Sequence, residues 1–159
     1  MRENILLALF LSLCSSVSAQ TVPAGWTVVR DSKGVCQLGV PPEWEPFSDG
    51  TGAAVWHDPT TAIAVVTSQP GQFFKPFTDA QLKILGIPKE KVFENTAKRL
   101  FYQDKTSRNA EDSNAYSAMV PGKGGTCSGH VVIAPSIAEE IARKILLSLG
   151  PVPEAKTQP

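Results

Sequence analysis

The sequence is poor in the residues that most often build chemistry. It holds two histidines and three cysteines in 159 residues. Neither a Cys-x-x-Cys nor a His-x-x-x-His spacing occurs. Dithiol redox centres and structural zinc sites use such spacings to bring soft ligands together, so no motif supports either. Net charge is absent as well, since fifteen Lys and Arg offset fifteen Asp and Glu. A general nucleic-acid or anionic-membrane binder needs a basic footprint, and this balance excludes one. No Gly-x-Ser-x-Gly elbow and no Asn-x-Ser/Thr sequon is present. No apolar run approaches the about 18 residues needed to span a bilayer.

Two further patterns fail on inspection. Gly122-Lys123-Gly124-Gly125 lacks the leading glycine of a phosphate loop, and Gly124 stands where Ser or Thr is required. It reads as a hairpin turn. The segment from Lys83 to Arg108 is locally basic, carrying Lys83, Lys89, Lys91, Lys98, Arg99, Lys105 and Arg108. Its plain reading is a solvated helical face.

What is present begins with an export signal. Arg2 gives a positive start, Ile5 to Leu13 is a short apolar run, and Val17-Ser18-Ala19 is a small-residue cleavage site. Residues 1–19 are therefore expected to be a cleavable secretory signal, leading to a secreted or periplasmic protein. A lipoprotein anchored at Cys14 fits less well, because Leu13 is large where a small residue is needed. Residues 20–150 then form one globular domain, with 151–159 a disordered tail.

Past the signal, two cysteines remain, Cys36 and Cys127. Cys36 alternates with Leu38 and Val40, and Cys127 with Val131 and Ile133, so both face the core. An even pair in an oxidising compartment predicts a disulfide. Closing so long a loop stabilises by about 4–5 kcal/mol in the chain-entropy model.

Strands are expected over 26–31 and 36–40, joined at Ser32-Lys33-Gly34 and stopped by Pro41-Pro42. Others are expected over 53–57 and 62–67, around a His57-Asp58-Pro59-Thr60 turn. Thr78 and Gln81 form a capping box for a short helix ending at Gly86. Pro88 opens a second helix, with Val92, Phe93, Thr96, Ala97, Leu100 and Phe101 at helical spacing. Residues 105–114 are polar and read as a loop. A second hairpin spans 115–120 and 126–134. Ser136 and Glu139 predict a capped helix with Ile137, Ile141, Ile145, Leu146 and Leu149 inward, ended by Gly150-Pro151.

Two groups of strands with helices between and after them predict an α+β fold: an antiparallel sheet of about six strands flanked by helices, the last packed on the sheet. Asp31, Gly34, Val40, Pro41 and Trp44 fit the pattern DxxGxxxxxVPxxW that opens Mog1/PsbP-like domains, which the chain thereby resembles. The closing Ala142-Arg143-Lys144-Ile145-Leu146-Leu147-Ser148-Leu149 is also similar to the final helix of such domains. Residues 70–114 fit the family loosely. The resemblance implies an α/β/α sandwich and a non-enzymatic accessory or binding module. PsbP-like members are extrinsic subunits of photosynthetic assemblies and Mog1 binds a small GTPase, so the fold by itself transfers no function.

Candidate site residues are few. His57 and His130, with Asp58, would suit zinc or copper if their strands were adjacent. Ser128 and His130 share a strand face, as a hydrolytic pair would. Glu43 and Glu45 flank Trp44, a combination able to recognise sugars. Phe73, Phe74 and Phe77 lie in the Pro/Gly-containing stretch QPGQFFKPF and, with Trp44, form a candidate binding patch. The expectation is an exported, non-catalytic accessory module of the cell envelope that meets a protein or envelope partner and carries no cofactor. A metal-binding protein using His57 and His130, and a small secreted hydrolase, are the alternatives.

Overall fold

A computed structural model describes residues 21–47, 54–58, 62–104 and 114–154. The expected signal segment and Cys14 lie outside the described residues, as does the polar loop after 104. The fold is α+β and rich in sheet. A seven-stranded sheet has the order β3-β4-β5-β9-β8-β7-β6, every neighbouring pair antiparallel. Its strands are β3 (Glu45–Phe47), β4 (Ala54–His57), β5 (Ile63–Pro70), β6 (Val92–Asn95), β7 (Leu100–Asp104), β8 (Asn114–Gly122) and β9 (Gly125–Ile133). A three-stranded sheet joins β1 (Thr27–Arg30), β2 (Cys36–Val40) and β10 (Gly150–Pro151) in the order β1-β2-β10.

The larger sheet has two different faces. Ala64, Val66, Phe101, Tyr116, Ala118, Val120, Cys127, Val131 and Ile133 alternate onto one of them. There they pack against Leu38 and Val40 of β2 and against Ala142, Ile145, Leu146 and Leu149 in and just after α2 (Glu139–Leu147). This is the main core. Gly129 lets α2 approach: a Cβ there would stand 2.9 Å from Leu146 Cδ2. The Cys36–Cys127 disulfide joins β2 to β9 through this core, with the two Cα atoms 5.5 Å apart.

Among the described residues, the opposite face is covered only at one end. Leu82 of α1 (Asp79–Ile84), Ile87, Phe74 and Phe77 pack there on Leu100, Tyr102, Val92 and Met119. The Thr78–Gln81 capping box forms as expected.

Three local expectations are corrected. The second helix expected after Pro88 is absent; a 3-10 turn at Lys89–Lys91 leads into the β6–β7 hairpin. Thr96 makes the turn, its Oγ1 accepting from Lys98 N and Arg99 N while its own N–H donates to Arg99 O. Leu100, Phe101 and Tyr102 are buried on both faces of β7, and a doubly buried strand gives the same apolar run as a helix. Ser136 does not cap α2: Ala138 holds the cap position without a side-chain bond, and residues 135–137 form a turn. The expected tail also begins as structure. Gly150 pairs with Gln37, Pro151 with Cys36, and Val152 N donates to Val35 O, so the third strand of the small sheet straddles the expected domain end. The sheet count differs likewise, with ten strands in two sheets among the described residues where about six in one were expected.

Candidate functional site

The uncovered part of the large sheet brings polar side chains together by strand register. Tyr102 pairs with Ser117, and Ser117 with His130. Asp104 follows Tyr102 by two residues and shares its face. Ser117, itself buried, is the hub. Its hydroxyl donates to Asp104 Oδ2 at 2.9 Å and lies 2.8 Å from His130 Nδ1. The Tyr102 side chain lines the same cluster. A serine oxygen has one proton and two lone pairs. With the proton given to Asp104, the oxygen accepts from His130 Nδ1–H. The neutral imidazole then carries its free lone pair on Nε2, directed away from the hub.

The electrostatics agree with a satisfied network in a partly dry setting. Burial pushes the His130 pKa down from its ordinary value, and the charge of Asp104 opposes this. Burial raises Tyr102, the Asp104 charge raises it further, and the Ser117 bond works against both. Asp104 Oδ2 stands 3.8 Å from Nδ1, too far for a hydrogen bond, so the carboxylate reaches the ring through Ser117.

Beside this cluster lies a shallow recess of about 170 Å³ lined by Val65, Thr67, Met119 and Ser128 together with Tyr102, Ser117 and His130. Ser128 Oγ is buried there and has no hydrogen-bond partner among the described residues. Such a group costs roughly 1–3 kcal/mol of desolvation unless something bonds it.

The arrangement is the wrong one for a hydrolase triad. That chemistry places the imidazole between nucleophile and carboxylate, whereas here the serine stands between imidazole and carboxylate. No bond links Ser128 to His130. The metal expectation is also not met. His57 on β4 and His130 on β9 share a face, but β5 runs between their strands. Asp58 Oδ1 accepts from Ala62 N and shapes the β4–β5 turn. Among the described residues, no group of three His, Cys, Asp or Glu is placed to hold a metal ion.

The expected aromatic patch divides. Trp44 is buried in the main core, which removes it as a sugar platform between the exposed Glu43 and Glu45. Phe74 and Phe77 cover the smaller core, and Phe73 alone is strongly exposed, at 72%. Of the basic segment, Arg99 is buried, donating to Leu147 O at the end of α2 and to Glu94.

Ser117, Tyr102 and Asp104 were not singled out from the sequence. Their signal was the alternation in YSAM and LFYQD, which becomes informative only once β7, β8 and β9 are known to be adjacent. The DxxG segment proves structural. Asp31 accepts from Val35 N, Cys36 N, Lys33 N and Ser68 Oγ, and Gly34 takes the left-handed conformation that the turn needs.

No protein-family model and no curated protein matches the sequence. Among solved structures, a crystal structure from Bacteroides thetaiotaomicron, at 1.50 Å resolution, is similar in fold. It superposes with a TM-score of 0.50 at 13% identity over 78% of this chain. The chain spans about half of that protein, 47% of its length.

Proposed function

We propose that the protein is an exported, non-catalytic binding module of Mog1/PsbP-like type, acting in the cell envelope through the open face of its large sheet. The observation that carries this reading is the recess beside His130. One face of the sheet is packed by α2 and β2 over most of its strands, while the other keeps a hollow with an apolar floor, a buried hydroxyl that no described residue bonds and an oriented imidazole. Its volume resembles the about 150 Å³ that accommodates a benzene ring. The fitting ligand group is a small ring or branched chain carrying a hydroxyl, which donates to Nε2 while its carbon body rests on Val65 and Met119. The disulfide fits an oxidising compartment, and no described helix is long and apolar enough to cross a membrane.

Titration of the isotope-labelled protein with phenol, cyclohexanol and methyl glucoside tests this. Saturable amide shifts are expected at Val65, Thr67, Met119 and Ser128, and Ser128→Leu should abolish them by filling the hollow. Shifts confined to other faces would refute the site. Turnover of p-nitrophenyl acetate that disappears in His130→Ala would refute the non-catalytic reading.

A further inference from the structure

The free edge of β1 forms a second surface, independent of the recess. The pairing of β1 with β2 fixes which backbone groups point outward. Asp31 N donates to Cys36 O, so the pair at that position is hydrogen-bonded. Antiparallel ladders alternate bonded and non-bonded pairs, which makes Val29 opposite Leu38 a bonded pair. Val28 opposite Gly39, and Arg30 opposite Gln37, are then non-bonded pairs. On the β2 side this parity is visible directly: Gly39 N points away from β1 and donates to Ser148 Oγ at 2.7 Å. By the same geometry the N–H and C=O groups of Val28 and Arg30 face away from β2. Among the described residues, no other strand lies on that side of β1 in the small sheet and none bonds those groups.

These groups face an apolar groove. A hollow of about 370 Å³ is lined by Val28, Arg30, Pro46, Phe47, Ala54 and Trp56 among others. Val28 and Phe47 are 45% and 50% exposed, an unusual placement for two large apolar side chains beside one opening. Arg30 is the one charged residue lining it and has no ion-pair partner among the described residues.

We propose that β1 takes up an extended peptide as a fourth strand of the small sheet. The peptide backbone pairs with Val28 and Arg30. Its alternate apolar side chains enter the groove over Trp56 and Phe47, and a carboxylate opposite Arg30 fixes the register. Charge selects this occupant, because among the described residues lining the groove Arg30 is a cation without an ion-pair partner and none is an acid.

The probe is a set of acetylated, amidated heptapeptides of alternating valine and threonine, with one aspartate walked along the sequence and an asparagine control for each. At least one aspartate peptide should bind at least tenfold more tightly than its control, protecting the Val28 and Arg30 amides from hydrogen exchange. Arg30→Glu should abolish that preference. Val28→Pro should weaken binding at least tenfold with the fold intact, because proline removes only an outward donor on an edge strand. Three results would overturn the proposal. They are no binding by any member at 1 mM, protection of both amides in the free monomer, or protection that grows with protein concentration alongside dimer formation in sedimentation. The last would assign the edge to a second copy of the chain.

Discussion

Ser117 shows how a single side chain decides what its neighbours can do. By giving its proton to Asp104 it leaves His130 as the Nδ1–H tautomer. The burial that lowers the His130 pKa also links it to stability. Below the ordinary histidine value of 6.5 the unfolded chain binds a proton that the folded ring resists, so folding weakens as pH falls. Stability from denaturant unfolding is therefore expected to decline from pH 7 to pH 5 and to decline less steeply in His130→Gln. Equal slopes for the two proteins would show that the ring is not held neutral. Asp31 acts in the same direction at lower pH. Burial alone would raise its pKa, but the bonds from Cys36, Ser68, Val35 and Lys33 outweigh that and lower it, so its stabilisation fades only below the ordinary carboxylate range.

Among the elements, α2 lies close enough on β9 to leave no free space for a side chain at position 129. Leu146 Cδ2 occupies the space that a side chain at position 129 would need. Gly129→Ala should cost about 1–3 kcal/mol, the usual penalty for overpacking a filled core. Thermal unfolding followed by circular dichroism reads this directly, and an unchanged midpoint would mean that α2 rides more loosely on the sheet. The hairpin β6–β7 teaches a different lesson. Its residues carry helical spacing, but the strand formers Val92, Phe93, Phe101 and Tyr102 and the Thr96 turn determine what forms once β8 offers a free edge. Local pattern was ambiguous, and pairing settled it.

For the whole molecule, the disulfide is the covalent link between the two sheets, closing a loop of 91 residues. Replacing Cys36 and Cys127 together by Ser should lower unfolding stability by about 3–5 kcal/mol in urea, most of it through the freed unfolded chain. A loss under about 1 kcal/mol would show that the reduced, unfolded chain stays compact. The molecule's layering also explains where ligands can reach it. Among the described residues, α2 and the small sheet pack on one face, α1 and the 71–78 segment on part of the other, and the recess by His130 and the rim of β1 stay open.

The sequence by itself determined the strands whose two-residue alternation is strong, the glycine hairpin at 122–125, the α1 capping box and the cysteine pair that faces inward. These depend on neighbours within a few residues, or on a face that alternation reveals. Only the tertiary structure decided that β5 separates His57 from His130, that Trp44 is core and Phe73 surface, and that Ser117, Asp104 and Tyr102 surround one imidazole. Each of those depends on which strands lie side by side. Strand order is set by the packing of the whole sheet, through contacts between residues distant in the chain.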